Sequence, residues 1–299
     1  MAARRADDRR RRSAARATRA PRPGRRPDGH AEGDRADCLP TGSPVQDDRE
    51  AATERRTYAL KLAYDGGAFR GWQRQPGLPT VQQAVEDALA ALLGDRVQVH
   101  GAARTDAGVH AEGQVASFAL RRELPAGDGL ATRLPDGVRI ETIAPAPPSF
   151  HARASAAGKR YRYRFGAGIP RAWEPGPGRP DWDRARAALE GLRGLPHLAG
   201  LASPARGSRP APPLDEWTLE AGPGWAELIV RAPAFRKHEV RNLAGHLAAV
   251  ALGLASPESL ARLARGLRPW HGATAPPHGL TLLEVLYPPG LDPFLERIP

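Results

Sequence analysis

VQVHGAARTDAGVHAEGQVASF (Val97–Phe118) reads as two strands, Val97–Ala103 and Val109–Phe118, on either side of the loop Arg104-Thr105-Asp106-Ala107-Gly108. A carboxylate in such a loop is positioned by two rigid elements, and the glycine that follows allows the backbone to turn sharply behind it. The same pattern also fits an ordinary Asp-containing turn. Arg104 and His110 lie close to Asp106 in sequence and strengthen the functional reading only slightly.

Working outward, Leu60, Leu62 and Tyr64 alternate with Ala59, Lys61 and Ala63, which predicts a strand from Tyr58 that Asp65-Gly66-Gly67 ends. A helix is expected next. Val81, Ala84, Val85, Ala88, Leu89 and Leu92 share one face, Thr80 and Gln83 have the spacing of a capping box, and Gly94 stops the run. Further strands are predicted at Val138–Ile143, Lys159–Phe165, Glu216–Glu220, Trp225–Ala232 and Leu280–Leu286. Helices are predicted at Trp182–Arg193, His238–Leu252 and Pro257–Arg265, the last with Ser256 as its cap. Strands mixed with helices on short connections indicate an α+β fold, a largely antiparallel mixed sheet flanked by helices. Gly166–Pro180 and Ser203–Pro213, rich in Pro and Gly, read as surface loops.

Two more features bear on chemistry. Tyr161, Tyr163 and Phe165 fall on one face of a predicted strand, with Arg160, Arg162 and Arg164 on the other. Aromatic rings beside guanidinium groups suit the stacking of an unpaired base and the holding of its phosphates. The pattern equally describes aromatics in a core behind a solvated charged face, and taken alone it favours that description. Arg241 shares a helix face with Ala244, Gly245, Ala248 and Leu252. A guanidinium on an apolar face needs a carboxylate or a path to water, and the residues do not say which acid would serve.

Composition narrows the class. The formal net charge is +11, of which residues 1–56, with 15 arginines and 10 acids, contribute +5, so the remainder is basic in its own right. Such a balance suggests a polyanionic partner, although lysine occurs only at 61, 159 and 237, and an arginine-favouring codon bias explains part of it. Residues 1–56 contain no Phe, Trp, Tyr or Ile and are expected to be a disordered basic tail, either an auxiliary RNA-binding arm or a solvated extension; the many acids speak against a third reading, a mitochondrial presequence. The lone Cys38 forms no internal disulfide, and no Cys/His cluster has zinc spacing. No apolar run of about 18 residues spans a bilayer, so a soluble, cytoplasmic protein without membrane contact is expected. GxxxxGK[ST], HExxH, GxSxG and a GxGxxG after a strand are all missing, which leaves nucleotide hydrolysis, zinc chemistry and hydride transfer without support.

Six segments, in order, carry a resemblance: YDGGAFRGWQRQ (64–75), TVQQAVEDAL (80–89), ARTDAGVHAEGQVASF (103–118), FHARASAAGKRYRY (150–163), AFRKHEVRNLAGHL (234–247) and HGLTLLEVLY (278–287). Together they resemble the TruA family of tRNA pseudouridine synthases, and RTDAGVHA matches that family's active-site signature. The resemblance implies that Asp106 is the catalytic carboxylate, that Tyr161 stacks on the target uracil, that Arg241 pairs with the aspartate, and that Arg104 helps hold the place of the flipped nucleotide. It implies two similar halves around one sheet, residues 57–150 and 151–290, with 291–299 as an extension. It further implies a homodimer acting on tRNA at uridines 38, 39 and 40 of the anticodon stem-loop, with no metal and no organic cofactor. The alternatives are a relative acting on another RNA or position, and an inactive RNA-binding relative. Ala103 stands where the family has Gly and Glu239 where it has Met, while Arg236 and Lys237 replace apolar residues. The stretches 121–135 and 197–209 also depart from the pattern.

Overall fold

Alternation beginning near Tyr58 builds the strand on which the N-terminal part of the sheet is laid. In the computed structural model, which describes residues 55–166, 179–203, 210–267 and 274–295, this strand is β1 (Arg56–Tyr64). It is followed by α1 (Val81–Leu93), β2 (His100–Gly101), β3 (His110–Leu120), β4 (Val138–Ala146) and β5 (Gly158–Phe165). After these come α2 (Trp182–Glu190), β6 (Glu216–Gly222), β7 (Trp225–Ala232), α3 (Glu239–Ala251), α4 (Pro257–Ala264) and β8 (Leu280–Leu286). The expected tail over 1–56 lies outside the described residues up to 54, while its last residue, Arg56, already belongs to β1; most of the 166–180 loop, residues 204–209 and the last four residues also lie outside them.

The strands form one sheet in the order β4-β1-β3-β8-β5-β7-β6, with β2 paired to β3. Every pairing is antiparallel except β3 with β8, where His110 lies opposite Thr281 and Ala111 opposite Leu282. The fold is therefore α+β, on a mixed and largely antiparallel sheet. The backbones come close at the parallel seam: a Cβ on Gly113 would lie 2.2 Å from the Leu283 carbonyl oxygen, so β3 carries glycine there.

Alternate residues of each strand enter the core. Leu60, Leu62 and Tyr64 of β1, Phe118 of β3, Tyr161, Tyr163 and Phe165 of β5, and Leu228 and Val230 of β7 pack with Leu89 of α1, Leu243 and Leu247 of α3, and Leu260 of α4. Full burial of each large aliphatic side chain contributes roughly 1.5–3 kcal/mol. Ala59 and Val115, which alternate with the core set, join Phe150, Ala152 and Tyr287 in a second cluster. Phe294, within the expected C-terminal extension, packs partly buried against that cluster.

Three local expectations need correction. The strand predicted at Val97–Ala103 shrinks to His100–Gly101, because the Val99 amide donates to Glu86 Oε1 (3.1 Å) and its carbonyl accepts from Gln82 Nε2 (3.1 Å). Side chains of α1 take the bonds that a strand ladder would need. Thr80 precedes α1 in an extended conformation but makes no side-chain capping bond, and Ser256 makes none at α4. Gln82 organises the start of α1 instead, its Oε1 accepting from the Arg74 amide at 3.0 Å and from Gln73 Nε2 at 2.7 Å. Finally, α2 ends at Glu190 rather than Arg193, since the Gly191, Leu192 and Arg193 amides turn back in tight bonds to residues 188–190.

Candidate active site

Asp106 sits in a loop fixed from below by buried polar groups. Gln114 of β3, fully buried, donates through Nε2 to the Ala103 carbonyl (2.8 Å) and accepts through Oε1 from the Ala103 amide (3.1 Å). Its Nε2 also lies 3.3 Å from the hydroxyl of Tyr64, which is 2.7 Å from Thr105 Oγ1. Burial pushes the Tyr64 phenol up to about 12, so it remains a neutral partner. The segment after β1 supports the loop from the side, with the Trp72 amide donating to the Thr105 carbonyl at 3.1 Å. Gly71, at φ +93°, makes that approach possible, since a Cβ there would meet the Thr105 oxygen at 2.7 Å.

The Asp106 carboxylate points toward the start of α3. Arg241 Nη1 donates to Asp106 Oδ2 at 3.1 Å, and Arg241 Nε donates to the Ala275 carbonyl at 2.7 Å. The Arg241 side chain is 15% exposed and that of Asp106 31%, so the pair is sheltered while the acid remains open to a ligand. A charge-assisted bond of this kind both fixes the carboxylate and offsets its charge. The carboxylate that the apolar face of α3 required is thus Asp106.

Tyr161 lies on the core side of β5, its ring edge-on to Phe235 with centroids 5.1 Å apart. Burial raises its phenol well above the ordinary range, and the neighbouring Tyr64 and Asp106 add to the shift. The hydroxyl therefore stays protonated within the field of the Asp106 carboxylate. Tyr163 and Phe165 are core residues, as the strand pattern favoured, and the Tyr163 hydroxyl donates to the Pro276 carbonyl at 3.2 Å. The arginines between them are matched by acids. Arg160 pairs with Glu284 (2.8 Å) and Glu216 (3.2 Å), Arg162 with Glu112 and Glu227, and Arg164 with Glu227 (2.8 Å). Arg104 is exposed and makes no hydrogen bond or ion pair with a described residue.

One member of the site escaped the sequence reading. His238 Nε2 lies 3.6 Å from Asp106 Oδ2, and its Nδ1 is 2.8 Å from Ser203 Oγ. His238 is also the one non-glycine residue at positive φ among the described residues, at φ 61°. Burial holds its imidazole below the ordinary pKa, a shift that Asp106 opposes and that Arg241 and Lys237 reinforce. Histidine is among the residues enriched at positive φ, but a single histidine before a helix does not by itself mark that conformation in the sequence. Glu239 does not compete for Arg241. It is buried, and its Oε2 accepts from the Arg236 amide at 2.7 Å, closing the turn before α3.

Among the described residues no group of three or more His, Cys, Asp or Glu is arranged to hold a metal ion, and no helix is long and apolar enough to cross a membrane. A cleft of about 610 Å³ is lined in part by Asp65, His110, Arg139, Arg162 and His278 and by no residue of the Asp106 loop.

The family described as tRNA pseudouridine synthase matches residues 208–288. A tRNA pseudouridine synthase A of Geobacter sp. (strain M21) is 36% identical over 246 residues, covering 78% of this chain and 99% of that protein. The protein of the same name from Methylacidiphilum infernorum (isolate V4) is 38% identical over 251 residues, covering 78% and 96%. That of Frankia casuarinae (strain DSM 45818 / CECT 9043 / HFP020203 / CcI3) is 43% identical over 255 residues, covering 79% and 90%.

Proposed function

The chain belongs to the tRNA pseudouridine synthase A family, an isomerase that converts uridine to pseudouridine in tRNA, and from that premise we propose that it acts in the anticodon stem-loop with Asp106 as the catalytic carboxylate. The uridines are those at positions 38, 39 and 40. The observation that carries the proposal is the Asp106 carboxylate, held 3.1 Å from Arg241 on a loop braced by Gln114 and Tyr64.

Exchanging the C1′–N1 bond of uridine for a C1′–C5 bond involves no net redox change and consumes no water. One ionised carboxylate close to the sugar suits that chemistry. A base stacked in a helix is out of its reach, so the nucleotide must leave the stack at a cost of about a few kcal/mol. Tyr161, beside Asp106, supplies a face for the extruded uracil, and Arg104, exposed and unmatched among the described residues, is free to fill the place it leaves. Arg241 holds the acid. The protein works as a homodimer in the cytoplasm, and residues 57–150 and 151–290 are two similar halves of its catalytic domain, preceded by a basic tail over 1–56.

The test is to incubate the purified protein with unmodified tRNA transcripts and map product by a pseudouridine-specific adduct and primer-extension stops. Stops at positions 38–40 are expected. Product confined to another position or another RNA would replace the site assignment, and binding without product would remove the catalytic one.

A further inference from the structure

Joining C5 of the uracil to C1′ leaves C5 tetrahedral, bonded to the sugar and still to its original hydrogen. That hydrogen must leave before the ring regains its C5–C6 double bond, so the exchange of bonds needs a base as well as a carboxylate. The reaction confines where the base can be. C5 ends on the sugar carbon close to which Asp106 works, so the group that takes its proton belongs beside the Asp106 carboxylate.

Among the described residues, Arg241, His238 and Tyr161 lie around that carboxylate. A guanidinium has no lone pair to offer and does not give up its charge, which removes Arg241. The Tyr161 phenol is kept protonated, chiefly by burial and further by Tyr64 and Asp106. His238 is left. Its Nε2 lies 3.6 Å from Asp106 Oδ2, and its side chain is 28% exposed against 31% for Asp106, so a ligand that reaches one reaches the other. Burial holds the imidazole below its ordinary pKa, opposed by Asp106 and reinforced by Arg241 and Lys237, so the ring is neutral near pH 7 with one nitrogen bare.

The other ring nitrogen has a partner. Nδ1 is 2.8 Å from Ser203 Oγ, and with Nδ1–H donating there, Nε2 is the bare nitrogen on the Asp106 side. Ser203 is itself fixed, its amide donating to the Lys237 carbonyl at 3.0 Å. Asn242 ties the same segment to α3, its Nδ2 donating to the Leu201 carbonyl at 2.7 Å and its Oδ1 accepting from Thr274 Oγ1 at 2.8 Å. The left-handed backbone of His238, at φ 61° and ψ 2°, is held by the Asn242 amide, which donates to the His238 carbonyl at 2.8 Å. We propose that His238 is the base that removes the C5 hydrogen, through Nε2, and that Ser203 sets its tautomer. Nε2 takes the proton, the C–H electron pair becomes the C5–C6 π bond, and the C6–N1 π pair moves to N1. N1 takes up the proton that the imidazolium gives back, so none is gained or lost overall. His238 has this role only on the proposed function, which supplies the uridine.

The experiment compares single-turnover conversion of tRNA transcripts made with ordinary uridine and with uridine deuterated at C5, for the full-length wild type, His238→Asn and Ser203→Ala. Asparagine tolerates a left-handed backbone, so the turn before α3 is kept. His238→Asn is expected to slow conversion by about 10²–10⁴-fold, the usual contribution of a general base. It is also expected to convert the deuterated transcript more slowly than the ordinary one, because cleavage of the C5–H bond then limits the rate. Ser203→Ala is expected to show the same isotope sensitivity with a smaller loss of rate. Affinity for tRNA is expected to stay within about twofold in both, since binding is spread over many phosphates. Conversion by His238→Asn near the wild-type rate, or a slowed variant that converts both transcripts equally fast, would overturn the base. Should His238→Asn fail to fold, Ser203→Ala decides, and an unchanged rate without isotope sensitivity in that variant overturns the base equally. A wild type that forms no pseudouridine would overturn the proposed function and the base together, whereas an active wild type with an isotope-insensitive His238→Asn overturns the base alone.

Discussion

At the scale of single residues, Asp106 is the proposed catalytic carboxylate and Glu239 carries a cost. Asp106→Asn keeps shape while removing the negative charge, and product is expected to be undetectable even at saturating enzyme. Affinity for tRNA is expected to stay within a few-fold, because binding is spread over many phosphates. The melting temperature, measured alongside and again for Asp106→Ala, separates lost turnover from lost folding. Single-turnover conversion near the wild-type rate by either folded variant would remove Asp106 from the mechanism. Glu239 is a different case: burial raises its carboxyl from 4.5 to about 7, against the smaller opposing effects of the Arg236 amide and guanidinium. A carboxyl raised on folding binds its proton more tightly in the folded state, so its contribution is full below 4.5 and is lost as pH climbs through about 7. Ionisation above that range costs about 3 kcal/mol. Glu239→Gln is therefore expected to be more stable than wild type near pH 8 and equal to it near pH 4, by denaturant titration at both. A difference independent of pH would show that Glu239 does not ionise as its burial dictates.

At the scale of elements, the bracing of the Asp106 loop is the feature that matters, and Gln114 is its centre. Gln114→Leu preserves bulk but leaves both polar groups of Ala103 without their partner, a loss of about 1–3 kcal/mol for each buried group left unsatisfied. A lower melting temperature and a slower single-turnover rate are expected together, with tRNA affinity little changed. Normal turnover in a destabilised protein would mean that the loop holds Asp106 without this clamp. The elements themselves were largely legible. Period-two alternation marks β1, β5 and β7, and glycine at 94 marks the end of α1. What was not legible depends on partners distant in sequence. Val99 looks like a strand residue, and it is side chains 13 and 17 residues away that take its backbone bonds. Arg241 announces the need for a carboxylate, but its partner lies 135 residues away, across the one parallel seam of the sheet. His238 was missed because its neighbour Asp106 is likewise distant in sequence.

At the scale of the molecule, the positive charge is shared between residues 1–56 and the rest of the chain. Residues 1–56 hold a surplus of five positive charges and no Phe, Trp, Tyr or Ile, while β1 begins at Arg56, which pairs with Glu123 at 2.9 Å. Removal of residues 1–54 therefore spares the first strand and its ion pair. A segment so poor in large apolar side chains has little to contribute to a core. The shortened protein is expected to keep its melting temperature and its single-turnover rate at saturating tRNA. If the arginines of the segment touch RNA, the slope of log affinity against log salt will fall by about 0.7–0.9 for each phosphate they had neutralised. If they do not, the slope will be unchanged, and the basic surface of residues 55–299 accounts for binding alone. Either outcome leaves the site at Asp106 intact; a shortened protein that fails to fold, or that converts saturating tRNA more slowly in a single turnover, would instead place part of residues 1–54 within the catalytic structure.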